Sequence, residues 1–367
     1  MRPAFRSSRS AVAFALLVAA TLVAPAVVAR TGWLERRGVY NSIPLKYGPF
    51  PFAGQQIFDR TDDADIVFMG SSRVFTSIYT PYVKRQLTAK LGREANVFTL
   101  GWPWPGFDAD YVVARDLFSH RRVKMLVISN EDLGPDGAHL HAARWFRWGE
   151  NNEAIDDLPA SAKAQYYAST VLGMPRHVLG AARENIVEDP LRCRENFWNS
   201  YYHAPNVAEN DGSLRARLGF GNRYAVFEVF RPHGAATPAD ARVYSGATKD
   251  SFEFAGHLQP VQLHFARKLA QLCQEHGTRL VVMHVPVYSE REKNTIREVE
   301  MWPEALGAPL DLVGIPPAKL FAGIAQDDVQ KLFYEDAHLN QNGQDFFTPL
   351  ITPTLLDLYA KPTVENR

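Results

Sequence analysis

A serine hydroxyl becomes a useful nucleophile only with a base against it, and an imidazole serves as that base best when a third group orients it. The chain carries the pieces for this at two distant places. Gly70-Ser71-Ser72-Arg73 follows the apolar run Asp65-Ile-Val-Phe-Met-Gly70. Tyr334-Glu335-Asp336-Ala337-His338-Leu339-Asn340 precedes the last apolar stretch, and Ser72 and His338 are 266 positions apart. By itself a Gly-Ser-Ser turn reflects ordinary loop preference, and His338 or Asp336 alone reads as a solvated group near a helix start. Together they compose a nucleophile, a base and an acid, and the chemistry is acyl transfer through a serine ester. Asp336 and Glu335, two and three residues before His338, compete to accept its Nδ1 hydrogen, and only one can do so.

Other polar residues weigh less. Arg73 is either a substrate clamp or half of an ion pair with Glu131 or Asp132, and a guanidinium fork beside two acids favours the pair. Trp102 and Trp104 either stack on a sugar ring or acyl chain or fill space. His139 and His141 with Asp132 lack a third ligand motif for a metal, and His284 reads as a core residue. Cys193 and Cys273 allow at most one disulfide, although Cys273 also fits a buried helix stripe. No cofactor or metal is expected.

The elements that must position Ser72 and His338 follow from hydrophobic pattern. Apolar runs at Asp65–Gly70, Asn96–Gly101, Val123–Ser129 and Arg279–Pro286 are rich in β-branched residues and do not alternate, which predicts parallel strands covered on both faces. Helical spacing recurs over Tyr82–Leu91, Phe107–Phe118 and Leu258–Cys273, and a last helix is expected from Asn340 to about Tyr359, disturbed by Pro349 and Pro353. Alternating strands and helices predict an α/β fold, a three-layer α/β/α sandwich with a central parallel sheet. Ser72 then falls at the carboxyl end of a strand, where open α/β sheets place their sites. The stretch 134–256 is too long for a crossover and reads as an insertion, helical at first, through His139, Trp145 and 160–187, and irregular from 188.

The paired motifs resemble the SGNH (GDSL-type) hydrolase superfamily over about residues 60–133 and 278–360. The Gly-Ser-Ser-Arg and Asp-x-His-Leu-Asn-x-x-Gly forms are similar to its membrane-anchored envelope branch, which includes alginate O-acetylation proteins and the D-alanine transfer protein of teichoic acid synthesis. The resemblance implies a flavodoxin-like sandwich with Ser72 as nucleophile, His338 as base and, by the spacing of the acetylation relatives, Asp336 as acid, with Glu335 the alternative. It also implies oxyanion donors after the second and third strands. Gly101 and Gly106 fit the first place, in Leu100-Gly101-Trp102-Pro103-Trp104-Pro105-Gly106, where the two prolines cannot donate. Asn130 fits the second, although Ile128-Ser129-Asn130-Glu131-Asp132 departs from the family's Gly-x-Asn-Asp. The resemblance implies an acylated carbohydrate or acyl donor as substrate and a membrane-bound acyltransferase as the partner that supplies the acyl group.

At the N-terminus, Arg2, Arg6 and Arg9 precede an unbroken apolar or small run from Ala11 to Ala29. As a helix the run rises close to ~30 Å, enough to cross a hydrocarbon core. We read 1–30 as an uncleaved signal anchor, with a cleaved signal peptide ending near Val27-Val28-Ala29 as the alternative. Residues 31–60 show no helical or strand period and read as a linker packed on a domain spanning 61–360. The domain is expected outside the cytoplasm. Lysine plus arginine equals aspartate plus glutamate at 40 each, so no net field draws the chain to nucleic acid. The expected function is an extracytoplasmic serine esterase or O-acyltransferase acting on an envelope polysaccharide. A catalytically degenerate envelope protein that binds glycan or a protein partner is the alternative, and a secreted lipase-like esterase ranks third.

Overall fold

The computed structural model describes residues 7–30, 35–43, 50–129, 137–142, 145, 152–169, 230–243, 252–254, 260–298, 306–307 and 311–362. The chain divides into two compact units, Met1–Ile43 with Leu140–Glu188, and Pro44–His139 with Asp189–Arg367.

In the first unit, α1 (Ser8–Arg30) is a single helix of 23 residues. Val12, Phe14, Leu16, Leu17, Val18, Val23 and Val27 on it are exposed. Several α1 side chains from residue 22 onward lie outside the described residues, and among the described residues no helix is long and apolar enough to cross a membrane. α2 (Arg36–Asn41) buries Val39 and Tyr40. The Tyr40 ring meets Trp145 edge-on at 5.3 Å between centroids, and Arg36 Nη1 donates to the Trp145 carbonyl at 3.2 Å.

The second unit is an α/β domain with a mostly parallel central sheet. Its strands are β1 (Ala64–Gly70), β2 (Val97–Gly101), β3 (Val123–Ser129), β4 (Arg242–Val243), β6 (Arg279–Met283) and β8 (Asp311–Gly314), in the order β2-β1-β3-β6-β8-β4. Only β4 runs antiparallel, against β8. A separate parallel pair joins β5 (Phe252–Phe254) and β7 (Ile296–Glu298). Every residue of β1 and β2 is buried, as the continuous apolar runs require of a sheet covered on both faces. On one face Ile66, Phe68, Met125, Val127, Val281 and Met283 pack with α5 (Thr80–Leu91) and α11 (Gln341–Ala360). The alternate residues Val67, Met69, Leu126, Ile128 and Val282 are equally buried. The helix α6 (Phe107–His120) packs against both α3 (Phe50–Phe58) and α8 (Pro260–Glu275).

Three departures from the sequence expectations have physical causes. Residues 31–60 hold α2 and α3. Pro51 sits in the first turn of α3, where a missing N–H costs nothing, and Phe50, Phe52 and Ile57 are buried. The stretch around His139 is a turn and not a helix, and within the described part of 134–256 the α-helices are α7 (Asn152–Ile155) and a run at 160–169. The remaining helices α9 (Pro317–Leu320) and α10 (Gln326–Gln330), like β8, are too short to show a period. Cys273 is a buried free thiol on α8 and burial pushes its pKa up, while Cys193 lies outside the described residues.

The amino end of the sheet, opposite the site, is tied by Asp65. Its Oδ1 accepts from Arg93 Nη2 at 2.5 Å and from the Tyr359 hydroxyl at 2.5 Å, and its Oδ2 accepts from Asn96 N at 2.8 Å. Burial alone would raise the Asp65 pKa, but these donors together hold it below the ordinary carboxylate range. Burial, and then the hydrogen bond to Asp65, pushes the Tyr359 phenol up to about 12. A depressed carboxylate contributes stability that is present above its unfolded value and lost as pH falls through its folded value. Asp65→Asn is therefore expected to cost about 1–3 kcal/mol near neutral pH, discounted because Arg93 is more than half exposed. It should cost less at a pH below the ordinary carboxylate range. Urea denaturation at the two pH values reads this, and an equal loss at both would refute the assignment.

Candidate active site

The local sequence places the hydroxyl. Gly70 closes β1 with φ 141°, a value that strains any side chain, and the turn leads directly into α4 (Ser72–Ser77). Ser71 caps that helix, its Oγ accepting from Arg73 N at 3.1 Å. Ser72 is thus free of capping duty, and its Oγ lies 2.7 Å from His338 Nε2.

The imidazole is placed by a hairpin and a helix. β9 (Phe333–Glu335) pairs antiparallel with β10 (His338–Leu339), with His338 opposite Glu335 and a register shift after it. Asn340 then caps α11, its Oδ1 accepting from Gly343 N at 3.1 Å, while its Nδ2 donates to the carbonyls of Lys331 at 2.8 Å and Phe333 at 3.2 Å. One asparagine thereby binds the hairpin to the helix start. With its proton on Nδ1, His338 accepts the Ser72 hydroxyl hydrogen at Nε2, the geometry needed of a serine and its base.

The hairpin gives the acid expected from spacing another partner. Asp336 and Ala337 are the two residues between the paired positions 335 and 338, so Asp336 occupies the turn and not the ladder. Both its oxygens accept from Ser289, Oδ1 from the backbone N at 2.8 Å and Oδ2 from Oγ at 3.0 Å, and its carbonyl accepts from Tyr288 N at 2.7 Å. Asp336 therefore ties the His338 turn to the segment after β6. Glu335 is opposite His338 in the ladder, and its side chain lies outside the described residues.

Gly101 ends β2 directly beside Gly70, and Trp102 N donates to the Gly70 carbonyl at 3.1 Å. Because parallel ladders use alternate N–H groups, the Gly101 N–H points away from β1, toward the open edge. A Cβ at Gly101 would lie 2.6 Å from Phe75 Cδ1, so glycine there also permits α4 to approach the sheet. Gly106 precedes α6 and accepts at its carbonyl from Ala109 N and Asp110 N. A Cβ at Gly106 would lie 2.8 Å from both Asp108 Oδ1 and His139 Cβ. Asn130, Glu131 and Asp132 lie outside the described residues.

The two tryptophans part company. Trp102 is 1 % exposed and stacks on Phe50 at 5.6 Å, so it fills space and is corrected from the substrate-binding set. Trp104 is 50 % exposed at φ 66°, the one described non-glycine residue with positive φ. Such a conformation for a bulky side chain costs roughly 1–2 kcal/mol and is held from outside. His139 Nε2 donates to the carbonyls of Pro103 at 3.3 Å and Trp104 at 3.2 Å, and His139 N donates to Asp108 Oδ2 at 2.7 Å.

Arg73 donates to the Val285 carbonyl, beyond the end of β6. Glu131 and Asp132, the acids of the expected ion pair with Arg73, lie outside the described residues. Nearby, His284 Nε2 lies 3.2 Å from Glu290 Oε2, and both residues are buried. Burial holds the His284 pKa below its ordinary value, opposed by Glu290 and aided by the charge of Arg73. Among the described residues no group of three metal-ligating side chains converges. Sequence reasoning missed Tyr288 and Ser289, which carry no motif, and the polar residues of α11, whose signal is a glutamine and threonines on a buried helix face. No protein-family model matches the chain, and no curated protein matches its sequence.

Proposed function

We propose that the protein is a serine esterase or O-acyltransferase of the SGNH type, held at the outer face of a membrane and acting on acyl esters of an envelope polysaccharide. The observation that carries this is the 2.7 Å contact between Ser72 Oγ and His338 Nε2 at the carboxyl end of a parallel sheet. The parallel sheet with helices packed around it is compatible with the three-layer sandwich of that superfamily. The anchor is inferred from the unbroken apolar or small run Ala11–Ala29 of the sequence, which as one helix is long enough to cross a hydrocarbon core.

In the reaction, Ser72 Oγ attacks the ester carbonyl while His338 Nε2 takes the hydroxyl proton. Gly106 and Asn130 are the N–H donors assigned to the tetrahedral oxyanion, since the Gly101 N–H points away from β1. It collapses with loss of the alcohol, which leaves with the proton from His338. Water or a carbohydrate hydroxyl then attacks the acyl-enzyme by the same steps reversed. Glu335 is assigned as the acid that orients His338, since Ser289 holds Asp336. Trp104 offers an aromatic face for a sugar ring or acyl chain.

A non-catalytic glycan- or partner-binding protein is the second reading, favoured by Pro103 and Pro105, which remove two donors from the loop that would form the oxyanion hole. A fluorophosphonate probe separates the two. The first reading expects an adduct that disappears in Ser72→Ala, and a folded wild-type protein that takes no label would leave only the second.

A further inference from the structure

The geometry points to Gln344 and Thr348 as positioning residues that set the distance between Ser72 and His338. The inference rests on that pair being the reacting groups proposed above.

α4 has six residues, too few to persist as an isolated helix, and its last carbonyls have no partner within it. α11 supplies those partners. Gln344 Nε2 donates to the carbonyl of Phe75 at 3.1 Å and to that of Ile78 at 3.0 Å. Thr348 Oγ1 donates to the Ser77 carbonyl at 3.3 Å and accepts from Tyr79 N at 3.0 Å. Gln344, Thr348 and Ser77 are buried, so water does not replace these bonds when they are removed. The same helix is capped by Asn340, two residues after His338. α11 therefore carries the base at its entrance and grips the nucleophile helix one turn further in. Ser72 lies one turn before Phe75 in α4, and a tilt at the gripped end moves the hydroxyl against the imidazole. A misplacement of about 1 Å in such a pair costs on the order of 100-fold in rate.

The test uses the full-length chain. Gln344→Met keeps length and removes both donors. Thr348→Val removes the hydroxyl, and Thr348→Ser keeps it. The first two are expected to lower kcat on an acetyl ester and the rate of fluorophosphonate labelling by roughly 10- to 100-fold, with KM unchanged, and Thr348→Ser should stay within about twofold of wild type. In the same variants the His338 ring 15N signals should move toward those of Ser72→Ala, because the hydroxyl partner is withdrawn. A purely structural role would lower the denaturation midpoint and leave these signals in place well below that midpoint. Unmoved signals in folded Gln344→Met overturn the inference whatever the activity. Moved signals in a protein whose wild type takes no label would uphold the clasp and sink the enzyme.

Discussion

Ser72→Ala is expected to reduce kcat on a small acetyl ester by at least about 10⁴-fold while the denaturation midpoint stays within a degree or two of wild type. The two halves of that expectation have different origins. The Ser72 side chain makes its hydrogen bond to His338, and Ser71 rather than Ser72 caps α4. Alanine at the first helical position keeps the cap and favours the helix. Ser72 is only partly buried, so losing its hydroxyl leaves no deeply buried donor unpaired. The chemical step, in contrast, loses the atom that forms the acyl bond. Residual turnover would come from binding and the oxyanion donors alone. Turnover near the wild-type rate in the folded variant would remove serine catalysis and leave the binding reading.

The second large effect concerns which carboxylate holds His338. Glu335→Gln is expected to lower kcat about 10³- to 10⁴-fold, because an amide in place of the acid favours the wrong imidazole tautomer and removes the charge that stabilises the imidazolium. Asp336→Asn is expected to cost less than about 10-fold. Its amide oxygen can still accept one of the two Ser289 hydrogen bonds, so the turn is loosened and not released. Steady-state kinetics on the two variants, with fluorophosphonate labelling as a check on Ser72, gives the ranking. The reverse order would return the acid to Asp336, and two small losses would mean that neither orients the ring.

Much of the fold was legible from residue type. β1, β2, β3 and β6 were marked by apolar runs with β-branched residues, since a strand covered on both faces has no polar side to display. α5, α6 and α8 showed apolar residues at helical spacing, and Asn340 announced α11 as its cap. α3 was hidden by Pro51 and Gly54, and α4, α9, α10 and β8 were too short for a period to appear. Within the site, Gly70 and the Ser72 turn were visible because a strand followed by a glycine and small polar residues has few other conformations. Neither the Ser289 partner of Asp336 nor the different burial of Trp102 and Trp104 was visible.

The sequence by itself therefore determined the chemical groups, the strands and helices that carry them, and the end of the sheet where Ser72 emerges, because these depend on neighbours along the chain. Tertiary structure decided which groups meet. Ser72 and His338 are joined by 266 positions of chain and are brought within 2.7 Å by sheet order and by α11 gripping α4. Asp336 was diverted to Ser289 by a two-residue turn, and Trp102 was drawn under Phe50 while Trp104 was held outward. A side chain's partner depends on packing between distant elements, and no local spacing encodes that.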